Sequence, residues 1–183
     1  MAEPGRGAVA LYNGHVAAET LRRRLPVASR VLDFGERDGL LATHLASEGM
    51  TVERCAKAMP AVEKGRFDGA FAEVSDWAAV RSRAPGLADR LQPGAPVLVR
   101  LRRRPGQSAG QVFRDLGPAF SWRRAGALGL LVPGEERADW AESHPQTFAA
   151  LCATEWIVRR LPVFRLAGRE SLLLGTKRRE ATP

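Results

Sequence analysis

Arg30-Val31-Leu32-Asp33-Phe34-Gly35-Glu36-Arg37-Asp38-Gly39-Leu40-Leu41 decides the reading of this chain. Arg30 to Phe34 is a short apolar strand, and an acidic turn carrying two glycines follows it. Gly39 to Glu48 then suits a helix, with Leu41 and Leu45 four apart and Gly49 in the place that commonly ends one. A strand that feeds a helix through such a turn aims backbone N–H groups at the mouth of a parallel sheet, where nucleotide-like ligands bind.

Working outward, Asn13-Gly14 reads as a turn, and His15 to Leu25 suits a helix stopped by Pro26, with Ala17, Leu21 and Leu25 on one face. Thr51 to Cys55 is a second short strand and Phe67 to Ala72 a third. Trp77 to Leu91 suits a helix interrupted at Pro85-Gly86, and Gln92-Pro93-Gly94 turns into a fourth strand, Ala95 to Leu101. Helical patches follow over Gln111 to Leu116 and Glu135 to Ala141, and another starts near Pro145, a favourable first helical position. The chain closes with Trp156 to Leu166, a turn at Ala167-Gly168-Arg169, and Ser171 to Thr176, which together read as a hairpin. Alternating strand and helix ending in a hairpin predicts an α/β fold on a mostly parallel sheet. One domain over residues 1–183 is expected, with 1–8 and 178–183 flexible.

A hydrophobic fraction of 45% fits a folded chain. No apolar run approaches the roughly 20 residues that cross a bilayer, and Met1 to Gly7 lacks the apolar core of a signal peptide. A cytoplasmic location without a membrane partner is therefore expected. Cys55 and Cys152 make no disulfide framework, and nothing near them or the three histidines has metal-ligand spacing, so no metal is expected. The net charge of +8 comes from arginine: the 28 basic residues include three lysines, Lys57, Lys64 and Lys177, which leaves 25 arginines. Arginine favours bidentate contact with phosphate or carboxylate, which suggests an anionic substrate or partner. Codon bias in a G+C-rich genome enriches the same residues, and composition does not separate the two.

The Asp33-to-Gly39 turn resembles the first motif of the class I S-adenosylmethionine-dependent methyltransferases, an acid followed by spaced glycines. Phe67-Asp68 opening a strand, and Leu91-Gln92-Pro93-Gly94 entering Val97-Leu98-Val99, are similar to that family's later blocks, in the same order. The closing hairpin looks like the family's reversed last strand. The resemblance covers roughly Val27 to Lys177 and implies a Rossmann-like methyltransferase sheet that binds S-adenosylmethionine.

Residue by residue, the resemblance implies that Asp33 orients the turn while Gly35 and Gly39 admit the cofactor's methionine part. Arg37 stands where the family usually has glycine, and its side chain either obstructs the cofactor or binds its carboxylate. The acid that normally ends the second strand and holds the ribose is replaced by Cys55, and a thiol is a poor acceptor for two hydroxyls. Glu53, two residues earlier and about 7 Å back from the rim, is the candidate substitute. Residues 56–66 span at most about 36–40 Å and cannot build the family's intervening helix and strand, which predicts six strands and an open adenine side.

Glu73 and Asp76 lie where relatives place substrate-facing groups; Asp76 or Ser75 equally caps the helix that begins near Trp77. Arg100, Arg102 and Arg103 leave the fourth strand at its ligand-binding rim, and Arg114, Arg123 and Arg124 with Phe120 and Trp122 are placed near them. A positive rim with aromatics suits a phosphorylated substrate or nucleic acid, and a solvated loop over core aromatics has the same sequence. Two functions follow. One is a small methyltransferase of unknown substrate; the other is a non-catalytic module whose arginine surface binds a protein or nucleic acid, with a partner chain covering the shortened sheet edge.

Overall fold

Among residues 7–36, 39–55, 64–159, 161–164 and 167–179, which the computed structural model describes, helices and strands alternate as the apolar runs suggest. In chain order they are α1 (Ala8–Arg22), β1 (Arg30–Asp33), α2 (Leu40–Ser47), β2 (Thr51–Arg54), β3 (Gly69–Val74) and α3 (Trp77–Val80). A 3-10 turn at Arg81–Arg83 leads to α4 (Leu87–Arg90), β4 (Pro96–Arg102), α5 (Ala109–Leu116) and β5 (Phe120–Leu128). A second 3-10 turn at Glu135–Arg137 precedes α6 (Ala138–Ser143), α7 (Pro145–Val158) and β6 (Glu170–Lys177). The strands form one six-stranded sheet in the order β2-β1-β3-β4-β6-β5. The first four are mutually parallel, and β6 runs antiparallel to both β4 and β5.

The two-residue period of the strands divides the core between the two faces of the sheet. Ala70, Ala72 and Val74 of β3 and Val97, Val99 and Leu101 of β4 pack with Trp77, Val80, Leu87, Ala109, Val112 and Leu116 from α3, α4 and α5. Val31, Phe71, Leu98, Leu172 and Leu174 pack with Val16, Ala17 and Leu21 of α1 and Leu41 and Leu45 of α2. Both faces are covered, which is why β3 and β4 read as continuous apolar runs.

Two readings of the sequence are corrected. Asn13-Gly14 is not a turn but lies inside α1, which starts at Ala8, with Asn13 buried. The dipeptide favours turns, but α1 crosses α2 here: a Cβ on Gly14 would come 2.8 Å from Leu40 Cβ, so close packing overrides local preference. Residues 1–6 of the expected leader lie outside the described residues.

The antiparallel pair is present, but its first strand is β5 and not the segment that opens at Trp156, which lies in the last turn of α7; residues 160, 165 and 166 of that expected strand lie outside the described residues. β5 hides its strand pattern because Arg123 and Arg124 are consecutive and a bulge between Arg124 and Gly126 breaks the alternation. An edge strand tolerates both. β2, with Thr51 and Arg54 exposed, forms the opposite edge. No described helix is long and apolar enough to cross a membrane.

Candidate functional site

Asp33 is the last residue of β1, and its side chain is only 2% exposed. Its Oδ1 accepts the N–H of Gly35 at 2.8 Å, which tightens the turn towards α2. Burial pushes this carboxyl up to about 6, against the pull of the Gly35 N–H and of Arg54 and Arg83, with Glu73 adding to the rise.

Beyond β1 the backbone continues beside β3: Phe34 N–H donates to the Phe71 carbonyl at 3.0 Å, and Glu36 N–H to the Glu73 carbonyl at 3.1 Å. Gly35 is needed for that approach, since a Cβ there would lie 2.8 Å from the Glu73 backbone nitrogen. Gly39 precedes α2 as its N-cap, and its open side is filled by Glu73: an added Cβ would overlap the Glu73 carboxylate. Gly39→Ala must therefore expel that carboxylate. The expected loss is about 1–3 kcal/mol of stability, and the same change should cost little in a Glu73→Ala background. Equal losses in both backgrounds, measured by denaturation, would contradict the contact.

Two further side chains span the crevice between β1 and β3. Glu36 Oε2 accepts the backbone N–H groups of Ser75 at 2.8 Å and Asp76 at 3.3 Å. Arg83, from the 3-10 turn, donates to the carbonyls of Phe34 and Gly35. Asp76 caps α3, accepting the Ala78 N–H at 3.0 Å. The sequence held no signal for Glu36 or Arg83, because each looks like one more surface charge until the chain is folded.

Glu73 Oε1 accepts from Arg100 at 2.6 Å, while Oε2 is buried and makes no hydrogen bond. Arg100 also meets Glu170 at 2.5 Å and Glu135 at 2.9 Å. Burial opposes its charge, but three carboxylates hold the guanidinium protonated well above its usual range. These groups form a polar row across β3, β4 and the start of β6. Arg102 is exposed at 3.9 Å from Glu136, and Arg102 and Arg103 both border a cavity of about 380 Å³ beside Asn13 and Glu135.

Glu53 is held away from this group. Its carboxylate accepts from Arg30 at 2.7 Å and from Arg66 at 2.8 Å, and those two contacts keep it below the usual carboxylate range. Cys55, just past β2, is buried, with its N–H on the Asp33 carbonyl at 2.8 Å. Arg37 lies outside the described residues. The site residues expected from the sequence therefore fall into two groups: Asp33, Gly35, Gly39, Glu73 and Arg100 come together, and Glu53 stands apart. Among the described residues no cluster has the make-up of a metal site.

A mostly parallel sheet with an acid-and-glycine turn at the carboxyl end of β1 defines a doubly wound α/β fold. Comparison with solved structures narrows this. A chain of the complex between the Haloferax volcanii Trm112 methyltransferase activator and a protein assigned as a methyltransferase superposes with a TM-score of 0.55 at 11% identity, over 96% of this chain and 92% of that one. A sarcosine dimethylglycine methyltransferase assignment from Galdieria sulphuraria gives 0.53 at 12% identity, over 92% and 85%. Haemonchus contortus phosphoethanolamine N-methyltransferase 2, in complex with S-adenosyl-L-methionine, gives 0.51 at 12%, over 91% of this chain and 53% of that one. The fold is that of the class I S-adenosylmethionine-dependent methyltransferases. No family model matches the chain, and no curated protein matches it significantly in sequence.

Proposed function

We propose that this chain is a methyltransferase-fold binding module that does not turn over S-adenosylmethionine. The observation that carries the reading is that the protein's own side chains occupy the crevice. Glu73 lies on Gly39, Arg83 takes the carbonyls of Phe34 and Gly35, and Glu36 takes the N–H groups that open α3. A methionine group laid against the β1–α2 turn meets all three. At the ribose end the described residues offer Cys55, a poor acceptor for hydroxyls, and a Glu53 already neutralised by two arginines. The described residues therefore do not fit the cofactor as they stand. In this reading residues 1–183 form one domain, its arginine surface takes an anionic partner, and the β2 edge is the place for a protein partner.

A second reading is favoured by Asp33. A buried carboxylate pushed up to about 6 destabilises the fold at neutral pH, and a destabilising acid in a cleft is a common mark of function. One structural neighbour holds S-adenosyl-L-methionine. In this reading Asp33, Gly35, Arg37 and Gly39 hold the cofactor, and the bridges from Glu36 and Arg83 open when it binds.

Calorimetric titration with S-adenosylmethionine and S-adenosylhomocysteine separates the two. The module reading expects no binding up to millimolar concentration. Micromolar binding that is lost in Asp33→Ala would overturn the occupied-crevice argument and favour the enzyme reading.

A further inference from the structure

Two concavities meet on β5, the outer strand of the sheet. The first, about 490 Å³, lies between the end of α1, β5 and the end of α7, and Arg23, Arg24, Arg123 and Arg124 line it. The second, about 480 Å³, lies between the loop after β4 and the start of α5; Arg103, Arg104 and again Arg124 line it. Arg124 belongs to both walls, at the bulge where β5 changes register against β6. The basic surface thus passes over the sheet edge from one face to the other.

This charge is largely unmatched. The one carboxylate in either wall is Glu19, which accepts from Arg22 at 2.9 Å and Arg23 at 2.7 Å. Among the described residues, Arg24, Arg103, Arg104, Arg123 and Arg124 have no carboxylate within ion-pairing distance. The first wall is also stiffened: Arg159 lies 4.2 Å and Arg23 5.9 Å from the Trp156 ring centre. Guanidiniums held on an aromatic lose less freedom when an anion arrives.

The shape selects the anion. A small phosphorylated molecule fits either concavity but leaves the guanidiniums of the other unmatched. A linear polyanion crossing Arg124 engages both. Two residues before Arg124 on β5, Trp122 lies over Gly175 and stacks on Phe113 of α5 at 5.3 Å, both rings half-buried against the core. What the pair leaves to solvent is aromatic surface that an unstacked base can cover; an acidic peptide possesses no such base and a duplex keeps its bases hidden. We propose that the β5 edge binds single-stranded nucleic acid, its backbone running between the two concavities across Arg124.

This names a partner class for the binding-module reading and rests on it. The cofactor titration decides that reading and oligonucleotide binding decides this one, so each fails by itself. The test is fluorescence anisotropy of the full chain with a labelled single-stranded oligonucleotide over a range of salt. If about four phosphates are engaged, log affinity falls against log salt with a slope of about −3. The Arg123→Ser/Arg124→Ser variant should lower that slope by about 1.4 and the affinity about tenfold or more. Arg103→Ser/Arg104→Ser, confined to a loop, should act in the same direction and does not depend on β5 tolerating change. Unchanged affinity in both variants would overturn the proposal. So would equal affinity for polyglutamate, or full competition by tripolyphosphate at equal phosphate concentration, because either would reduce the surface to a general anion trap.

Discussion

Glu155→Ala is expected to remove about 2–4 kcal/mol of folding stability, since a hydrogen bond to a charged group contributes about 1.5–3 kcal/mol and one of its three donors is buried. Glu155 sits on α7 and is fully buried. Its carboxylate accepts three backbone N–H groups from the segment that leaves β5: Gly129 at 3.1 Å, Leu131 at 2.8 Å and Val132 at 2.9 Å. Alanine leaves those donors without an acceptor at a place that includes buried Val132, and each orphaned buried donor costs about 1–3 kcal/mol. Burial of the carboxylate is itself costly, so the net loss is smaller than three such costs added together. Glu155→Gln keeps one acceptor oxygen and should fall between wild type and alanine. Urea denaturation measures the series, and a loss below about 1 kcal/mol in Glu155→Ala would show that the segment finds other acceptors.

Asp33→Asn should do the opposite at neutral pH: it should stabilise. In the unfolded chain Asp33 titrates near its ordinary value of 3.8, and in the fold burial raises it to about 6. Below the lower value both states carry the proton, and the group adds no pH dependence. Between the two values the unfolded chain releases the proton while the fold retains it, so stability falls as pH rises. Above about 6 the fall is complete, at about 3 kcal/mol for two pKa units. The amide does not ionise and escapes this loss, while its oxygen still accepts the Gly35 N–H. The stronger Gly35 bond of the ionised carboxyl is already contained in its value of about 6, so it takes nothing further from the gain. The advantage of Asn over Asp should therefore be small near pH 4, grow through the window to about 6, and stay level above it. Glu19 and Glu53, lowered by neighbouring guanidiniums, and Glu136, lowered first by its own backbone N–H and then by Arg169 and Arg102, slope the other way, but they are common to both proteins and cancel in the difference. An Asn-minus-Asp difference that does not change between pH 4 and pH 7.5 would rule out the buried, raised carboxyl.

The β1–α2 unit was legible because everything that makes it is local. Val31 and Leu32 lead into Asp33, Asp33 accepts the Gly35 N–H two residues on, and Gly49 ends the helix with a φ of +82°. β3 and β4 were legible for a related reason: strands buried on both faces leave runs of small and branched residues that no helix period explains. β5 was not legible. Its two arginines are acceptable only because the strand lies at an edge, and edge position is a property of the whole sheet. Gly14 in α1 misled for the same kind of reason, since its purpose is the crossing with α2.

The candidate site divides along the same line. Asp33, Gly35 and Gly39 stand out in the sequence because one tight turn demands them within seven residues. What meets them does not stand out, because Glu73 and Arg83 come from later elements and Arg100 from another strand. The sequence by itself determined an α/β sheet of six strands, the turn at the carboxyl end of the first strand, and a strongly basic charge balance. Only the tertiary structure decided that the crevice is bridged by Glu36, Glu73 and Arg83, and that arginines from distant segments gather on one sheet edge. Local periodicity and turn chemistry act between neighbours in the chain, whereas which charge meets which backbone depends on strand order and register, set by burial of the whole core.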